Sequence, residues 1–215
     1  GAFVLSAIYP YLPKGTIVLA IVDPGVGSQR QALCIKTSRG FLIGPNNGIF
    51  TSVLEEEEPV EARGIVNDRY WIKPVSATFH GRDIFAPAAA WLSKRDVFRS
   101  FGPAVRHIEK LRIPKAVQRG NSVTGEIIYV DRFGNAITNI SKRNFPKRAQ
   151  EDVRVLCRGR RNASLKPFFS AGSRGSLIAV WNSGNLLELA VRNDSAERLF
   201  GLKPGDPVTA SVGVR

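Results

Sequence analysis

The run TIVLAIV at residues 16–22 passes without a break into the loop VDPGVGSQR at 22–30. A continuous apolar and β-branched run with no helical period predicts a strand buried on both faces. In open α/β sheets the carboxyl ends of such strands carry the ligands. Asp23 therefore stands at a strand end, where a ligand is expected. Pro24, Gly25 and Gly27 make a tight turn with few side chains, so a ligand can approach the backbone. Arg30 closes the loop. The same residues also fit a βα turn with a surface salt bridge, and the sequence holds no GxGxxG dinucleotide fingerprint.

Around this loop the first half of the chain alternates elements. GAFVLSAIYPYL reads as a helix tail ended by Pro13 and Gly15, while QALCIKT and GFLIGP read as short strands. NNGIFTSVLEEE reads as a helix with Asn46 or Asn47 as its N-cap. VEARGIV and a stretch near YWIKP read as strands, and IFAPAAAWLSKRDV as a helix. Strands alternating with helices predict an α/β layer structure with a mainly parallel sheet. From about Asn121 the texture changes to short alternating runs (VTGEIIYVD, NAITNI, VRVLC, SLIAVWN, LLELAV, DPVTASV) separated by turn residues. That pattern predicts a small antiparallel barrel or sandwich. The expected organisation is an α/β domain over residues 1–115 and a β-barrel domain over 116–215.

The chain has 215 residues, 43% of them hydrophobic, and a net charge of +13. No apolar run approaches the roughly 20 residues that span a bilayer. The start lacks the charged region and cleavage-like end of a signal peptide, so a cytoplasmic protein is expected. Residues 1–115 carry 15 Lys and Arg against 10 Asp and Glu, and residues 116–215 carry 16 against 8. The excess is thus spread over both halves. The densest part, Ser141 to Lys166, lacks the interleaved aromatics of a single-strand platform, so the charge reads as a solvated face and not as a nucleic-acid surface. Cys34 and Cys157 lie in apolar strand-like contexts and read as buried free thiols, and no metal-ligand spacing occurs.

Two further stretches hold candidate chemistry. TFHGRDIFAP carries His80, either a structural loop histidine or an imidazole at another strand end facing Asp23 and Arg30. In the second case the three groups could orient a water and accept or share its proton. Arg82 and Asp83 read as an ion pair at a helix start, and His107 as a surface residue. VDRFGNAITNI places Asp131 and Asn135 about a Phe-Gly turn, which is either a plain hairpin or a polar pair for a base or an ammonium group. Phe168 and Phe169 in KPFFSAG are possible stacking faces, and Ser183 lies in a turn before a strand.

Five segments, GTIVLAIVDPGVGSQR, GPNNGIF, TFHGRDIFAPAAAWL, VDRFGNAITNI and NSGNLLELAV, together resemble the S-adenosylmethionine hydroxide adenosyltransferase family, the hydrolytic relatives of the fluorinases and chlorinases. They occur in the family's order over most of the chain. The resemblance implies an N-terminal α/β domain, a C-terminal β-barrel, and a homotrimer with active sites between one subunit's N-terminal domain and the next subunit's C-terminal domain. It implies hydroxide attack on C5′ of S-adenosylmethionine, which is the substrate, with no cofactor and no metal. It maps a catalytic trio onto Asp23, Arg30 and His80. It also assigns Asp131 and Ser183 to the methionine end, Asn135 to the adenine edge, and Phe169, or alternatively Phe168, to the adenine face.

The halogenating relatives carry a Tyr-Ser pair where this chain has His80 and Gly81, and a long insertion that this chain lacks, so the resemblance favours hydrolysis. The family usually opens with a strand and an acidic TDFG-like turn that grips the ribose, and the sequence begins after that point. It is expected to be N-terminally truncated. VRNDSAE also departs from the Asn-Arg-Gly-Asn-Ala pattern of the relatives. A nucleoside-binding protein without turnover is the alternative these departures leave open.

Overall fold

The computed structural model describes residues 1–212. The chain forms two compact units, Gly1–Ile113 and a second beginning at Pro114. In the first, β1 (Thr16–Leu19), β2 (Ala32–Lys36), β3 (Gly40–Pro45) and β4 (Glu61–Gly64) form one sheet in the order β1-β3-β2-β4. Alternation along β2 sends Leu33 and Ile35 to one face and Cys34 to the other. Helices α1 (Ala2–Ile8) and α2 (Thr51–Glu56) contribute Leu5 and Val53 to the first face, joined by Ile49 and Phe50 from just before α2. Helix α3 (Ala86–Lys94) contributes Ala88 and Leu92 to the second. The result is a sheet layered between helices, as the alternating elements predict.

The sheet differs from expectation in direction and in one boundary. Only β1–β3 is parallel; β2–β3 and β2–β4 are antiparallel. The short Thr37–Ser38–Arg39 connection between β2 and β3 leaves room only for a hairpin. Strand β1 ends at Leu19 rather than running to Val22, and both residues are exposed, at 41% and 56%. Its pairing with β3 runs from Thr16 to Leu19, a last bond from Ala20 N to Ile43 O at 3.0 Å follows, and the apolar run continues as loop. The YWIKP stretch is not a strand either: Asp68–Tyr70 forms a 3-10 turn and Lys73-Pro74 is cis.

Neither Asn46 nor Asn47 caps α2, whose N-cap is Phe50 without a side-chain bond. Asn46 has a different task. Its Oδ1 accepts from Glu109 N at 2.8 Å, and its Nδ2 donates to His107 O at 3.2 Å and to Gln31 Oε1 at 3.3 Å. Thr51 Oγ1 accepts from Leu111 N at 2.8 Å. These bonds strap residues 107–111, which have no regular structure, to the α/β unit.

The second unit is a closed barrel. Its strands are β6 (Ser122–Val130), β7 (Ala136–Ser141), β8 (Val153–Cys157), β9 (Arg161–Leu165), β10 (Leu177–Trp181), β11 (Leu186–Val191) and β12 (Pro207–Val212). They follow the order β12-β8-β9-β10-β11-β7-β6, and β12 pairs with β6 to close the ring. Strand β5 (Val117–Arg119) adds to β6 at the outside. All pairings are antiparallel except β9–β10. Val123, Ile127, Ile140, Val155, Leu187 and Leu189 fill the interior. At Gly125 a Cβ would meet Asn139 Oδ1 at 2.1 Å, so the glycine makes room for the Asn139 amide, which accepts from Glu126 N at 2.8 Å. Cys34 and Cys157 are buried and free, and burial pushes both thiols up, away from reactivity.

The strap carries a prediction. Replacing Asn46 with Ala removes three hydrogen bonds from a side chain only 9% exposed. A loss of about 1–3 kcal/mol is expected in urea unfolding followed by circular dichroism, because part-buried polar groups lose their partners.

Candidate active site and the polar rim of the barrel

The loop after β1 is built from two overlapping turns. Val26 N donates to Asp23 O at 3.2 Å and Ser28 N to Gly25 O at 3.1 Å. Ser28 Oγ donates to Gly25 O at 2.7 Å and accepts from Arg30 N at 3.3 Å. The folded loop turns Arg30 back onto Asp23. Arg30 Nε lies 3.0 and 2.9 Å from the two carboxylate oxygens, and Nη2 donates to Oδ2 at 2.5 Å. The side chains are 11% and 6% exposed, so this is a largely desolvated, bidentate pair. Beneath it, the Phe85 ring lies 5.1 Å from the guanidinium carbon.

His80 reaches the same guanidinium from fifty residues away. Its Nδ1 stands 2.8 Å from Arg30 Nη2. A guanidinium only donates, so Nδ1 accepts, and a neutral His80 ring carries its proton on Nε2. The structure thus brings Asp23, Arg30 and His80 together as one chain of contacts, with Arg30 in the middle.

The segment that carries His80 is held by Asp83. His80 precedes a π-helical turn, Gly81–Phe85, that leads into α3. Asp83 is fully buried; its Oδ2 accepts from Ser76 N at 2.8 Å and its backbone O from Ile72 N at 2.9 Å. Arg82 Nε donates to Asp83 Oδ1 at 2.6 Å, the ion pair expected at this helix start. The Arg82 hydrogen bond, followed by the Ser76 N–H, holds the Asp83 carboxyl below its usual range. On the facing loop, Gly27 has φ +79°, and a Cβ there would stand 2.5 Å from Ala77 O. The two loops therefore touch backbone to backbone beside the trio. At Gly81, by contrast, a Cβ would make only ordinary contacts of 3.6 Å with Ile21 and Phe79.

In the barrel unit, Asp131 and Asn135 close the β6–β7 turn. Asp131 Oδ1 accepts from Phe133 N at 2.8 Å and Asn135 N at 2.9 Å, and Asn135 Nδ2 donates to Asp131 Oδ2 at 3.2 Å. Phe133 projects from the tip, 77% exposed. Ser183 lies in the β10–β11 turn, where Asn182 Oδ1 accepts from Gly184 N and Leu186 N at 3.0 Å each. The two turns sit at opposite ends of the β7–β11 ladder, since Ala136 faces Leu189 while Leu186 faces Ser141. Phe169 opens a 3-10 turn with Phe168 as its N-cap, and both rings are exposed, at 45% and 59%.

Sequence reading missed Glu188, buried in β11. Burial, then the Asp131 charge, push its carboxyl up, while hydrogen bonds from the Asn182 and Asn135 side chains partly offset this. Its place in LLELAV looks like an outward strand position, and only the barrel shows that this position is covered. His107 is exposed, with Nε2 3.3 Å from Glu109. Among the described residues no group of three His, Cys, Asp or Glu could hold a metal ion, and no helix is long and apolar enough to cross a membrane.

Two outcomes follow for the trio. Gly27→Ala pushes the 76–80 segment off Arg30, so the His80–Arg30 contact is lost while the barrel remains folded; the His80 imidazole resonances and near-ultraviolet dichroism check it. The Asp83 contribution is present above the unfolded carboxyl value of about 3.9 and is lost as pH falls through the lower folded value. Acid titration of Asp83→Asn, in which that contribution is absent at every pH, should show a flatter stability profile below pH 4 than the native chain.

The SAM hydroxide adenosyltransferase N-terminal domain matches residues 1–102, and the C-terminal domain of the same family matches residues 125–209. A Thermus thermophilus protein named (R)-S-adenosyl-L-methionine hydrolase is 39% identical over 97% of this chain and 80% of its own length. One of the same name from Methanocaldococcus jannaschii is 31% identical over 94% and 73%. A fluorinase of an Actinoplanes species is 25% identical over 98% and 82%. Among solved structures, an uncharacterized conserved protein from Thermotoga maritima superposes with a TM-score of 0.88 at 35% identity, covering 98% of this chain and 82% of that one. With both domain matches in order and relatives above 30% identity over nearly its full length, the chain belongs to the SAM hydroxide adenosyltransferase family.

Proposed function

We propose that this chain hydrolyses S-adenosylmethionine to adenosine and methionine by attack of hydroxide on C5′. The observation that carries the reading is the Arg30 bridge between Asp23 and His80 just beyond the end of β1. Relatives named for hydrolysis of the (R)-sulfonium support it, and we take that epimer as the substrate.

The sulfonium leaves as a neutral thioether, so no general acid is needed. One bond forms, from the water oxygen to C5′, and the C5′–S bond breaks with its electron pair passing to sulfur. The water's proton is released to solvent, giving adenosine, methionine and one proton. The protein's task is to hold the oxygen in line and to favour its ionised form. With Nδ1 accepting from Arg30, the Nε2–H of His80 is a donor to that oxygen and leaves a lone pair for C5′. The positive edge of Arg30 favours hydroxide over water, and Asp23 keeps the guanidinium in place. His80 thus shares a hydrogen bond with the nucleophile instead of removing its proton.

Asp131 and Ser183 take the methionine end in this reading, Asn135 the adenine edge, and Phe169 or Phe168 the adenine face. The substrate itself supplies the reactive carbon, so the reading uses no cofactor. A homotrimer with sites shared between subunits accompanies it, which light scattering of the purified protein tests. We extend the proposal to an N-terminal α/β catalytic domain over 1–115, a barrel domain over 116–215, and a cytoplasmic location.

Incubation with S-adenosylmethionine and chromatography of the products decides the main point. Adenosine and methionine should appear in equal amounts, and His80→Ala should lower kcat by about 10²-fold. Binding of the nucleoside by calorimetry with no product would instead select a binding protein. Full turnover by a folded His80→Ala protein would remove His80 from the mechanism.

A further inference from the structure

Glu188 is a buried carboxylate that neither the fold nor the hydrolytic reading uses. It is 6% exposed, and among the described residues no ion pair joins it to a Lys or Arg. Holding a carboxylate there without a cationic partner is unfavourable, which marks the position as more than packing.

Register shows what surrounds it. Glu188 lies opposite Val180 on β10 and Ile137 on β7, and Ile137 lies opposite Tyr129 on β6. Residues two apart on a strand share a face. Asn182, Asn135 and Asp131, each two residues from one of those partners, therefore come to the same side of the barrel wall as Glu188. Leu187 and Leu189 point the other way, into the core. Diagonal neighbours at this spacing are within reach of long side chains.

The bond to Asp131 and the neighbouring Glu188 carboxyl then fix the direction of one amide. Asn135 Nδ2 donates to Asp131 Oδ2 at 3.2 Å, and the register places the Glu188 carboxyl diagonally beside the same amide, whose polarity helps hold that carboxyl down. Asn182 Oδ1 is occupied by two backbone N–H groups, so its amide nitrogen is what it offers Glu188. A reversed Asn135 amide would set its oxygen against two carboxylates. Asn135 Oδ1 has no hydrogen-bond donor among the described residues, and it is not among their buried unpaired polar atoms.

We propose that Glu188 is a positioning residue that, together with Asp131, clamps the Asn135 amide nitrogen and so presents Asn135 Oδ1 as a fixed acceptor for a nucleobase bearing an exocyclic amino group. The inference rests on the reading that assigns Asn135 to the base edge, and it deepens that reading from contact to selectivity. An oxygen acceptor fixed in this way pairs with an amino donor and repels a carbonyl in the same place. Inosine, which carries a carbonyl where adenosine carries the amine, is the discriminating ligand.

The test is titration calorimetry of adenosine and inosine with the native protein, Glu188→Gln and Glu188→Leu, with S-adenosylmethionine turnover measured on each preparation. The native protein should favour adenosine. Glu188→Leu, which keeps the volume and removes the acceptor, should narrow the adenosine-to-inosine preference about tenfold, the worth of one hydrogen bond. Glu188→Gln retains an acceptor oxygen and should narrow it less. A purely structural role would weaken both nucleosides equally, and that result, or an unchanged preference in both variants, overturns the proposal. If Glu188→Leu does not fold, Glu188→Gln decides alone, an unchanged preference again overturning it. Native protein that turns over S-adenosylmethionine yet shows no preference for adenosine refutes this inference only, whereas absence of turnover and of nucleoside binding refutes the functional reading beneath it.

Discussion

The Arg30 guanidinium is the contact on which the α/β unit's site depends. It lies largely out of water, held by both oxygens of Asp23 and leaning on the Phe85 ring, and it links the loop after β1 to His80. A buried charge missing one partner is strongly destabilised, by about 3–5 kcal/mol, so such a pair tolerates little drift. That rigidity passes to the imidazole. Because a guanidinium has no lone pair to offer, the contact selects one tautomer as well as one position. The same interaction thus sets geometry, charge and proton placement.

Neither loop of this site has regular secondary structure, so its precision comes from side chains bonded to backbone. Ser28 ties the first loop to itself. Buried Asp83 ties the second by collecting the Ser76 N–H and the Arg82 side chain while its carbonyl takes the Ile72 N–H. Gly27 allows the two to meet without a side chain between them. Loops anchored at both ends by carboxylates and backbone amides can be as well placed as strands, which is how mobile-looking segments come to carry chemistry.

Much of this was legible in the sequence because it is local. The tight turn that begins at Asp23, the barrel's alternating runs, the buried thiols and the Arg82–Asp83 pair all follow from neighbours in the chain. What was not legible depends on partners far away. TIVLAIV has the composition of a longer strand, but its length is set by its partner, and the β1–β3 register ends at Leu19 opposite Ile43. Asn46 has the form of a helix cap, yet its bonds go to residues 107 and 109, sixty positions on. His80 could be nominated from its rarity, but its place beside Arg30 rests on a fifty-residue separation. Glu188 was invisible for the opposite reason: alternation predicts an outward charge correctly and says nothing of what covers the outside of the barrel.

The two units answer different physical demands. The α/β site concentrates full charges, because the reaction it is proposed to run must favour hydroxide at neutral pH. The barrel rim instead uses amides steadied by carboxylates, with Asn135 and Asn182 around Glu188. A neutral amide contributes less binding energy than a charge, but its two ends differ in kind, so fixing its orientation turns a contact into a choice. Hydrolysis by hydroxide attack is undemanding about the leaving group once a sulfonium is present, and discrimination between substrates must then come from the parts that do not react. In the proposed reaction those are the nucleobase and the amino-acid end, and the groups proposed to read them lie in the β6–β7 and β10–β11 turns, at opposite ends of the β7–β11 ladder.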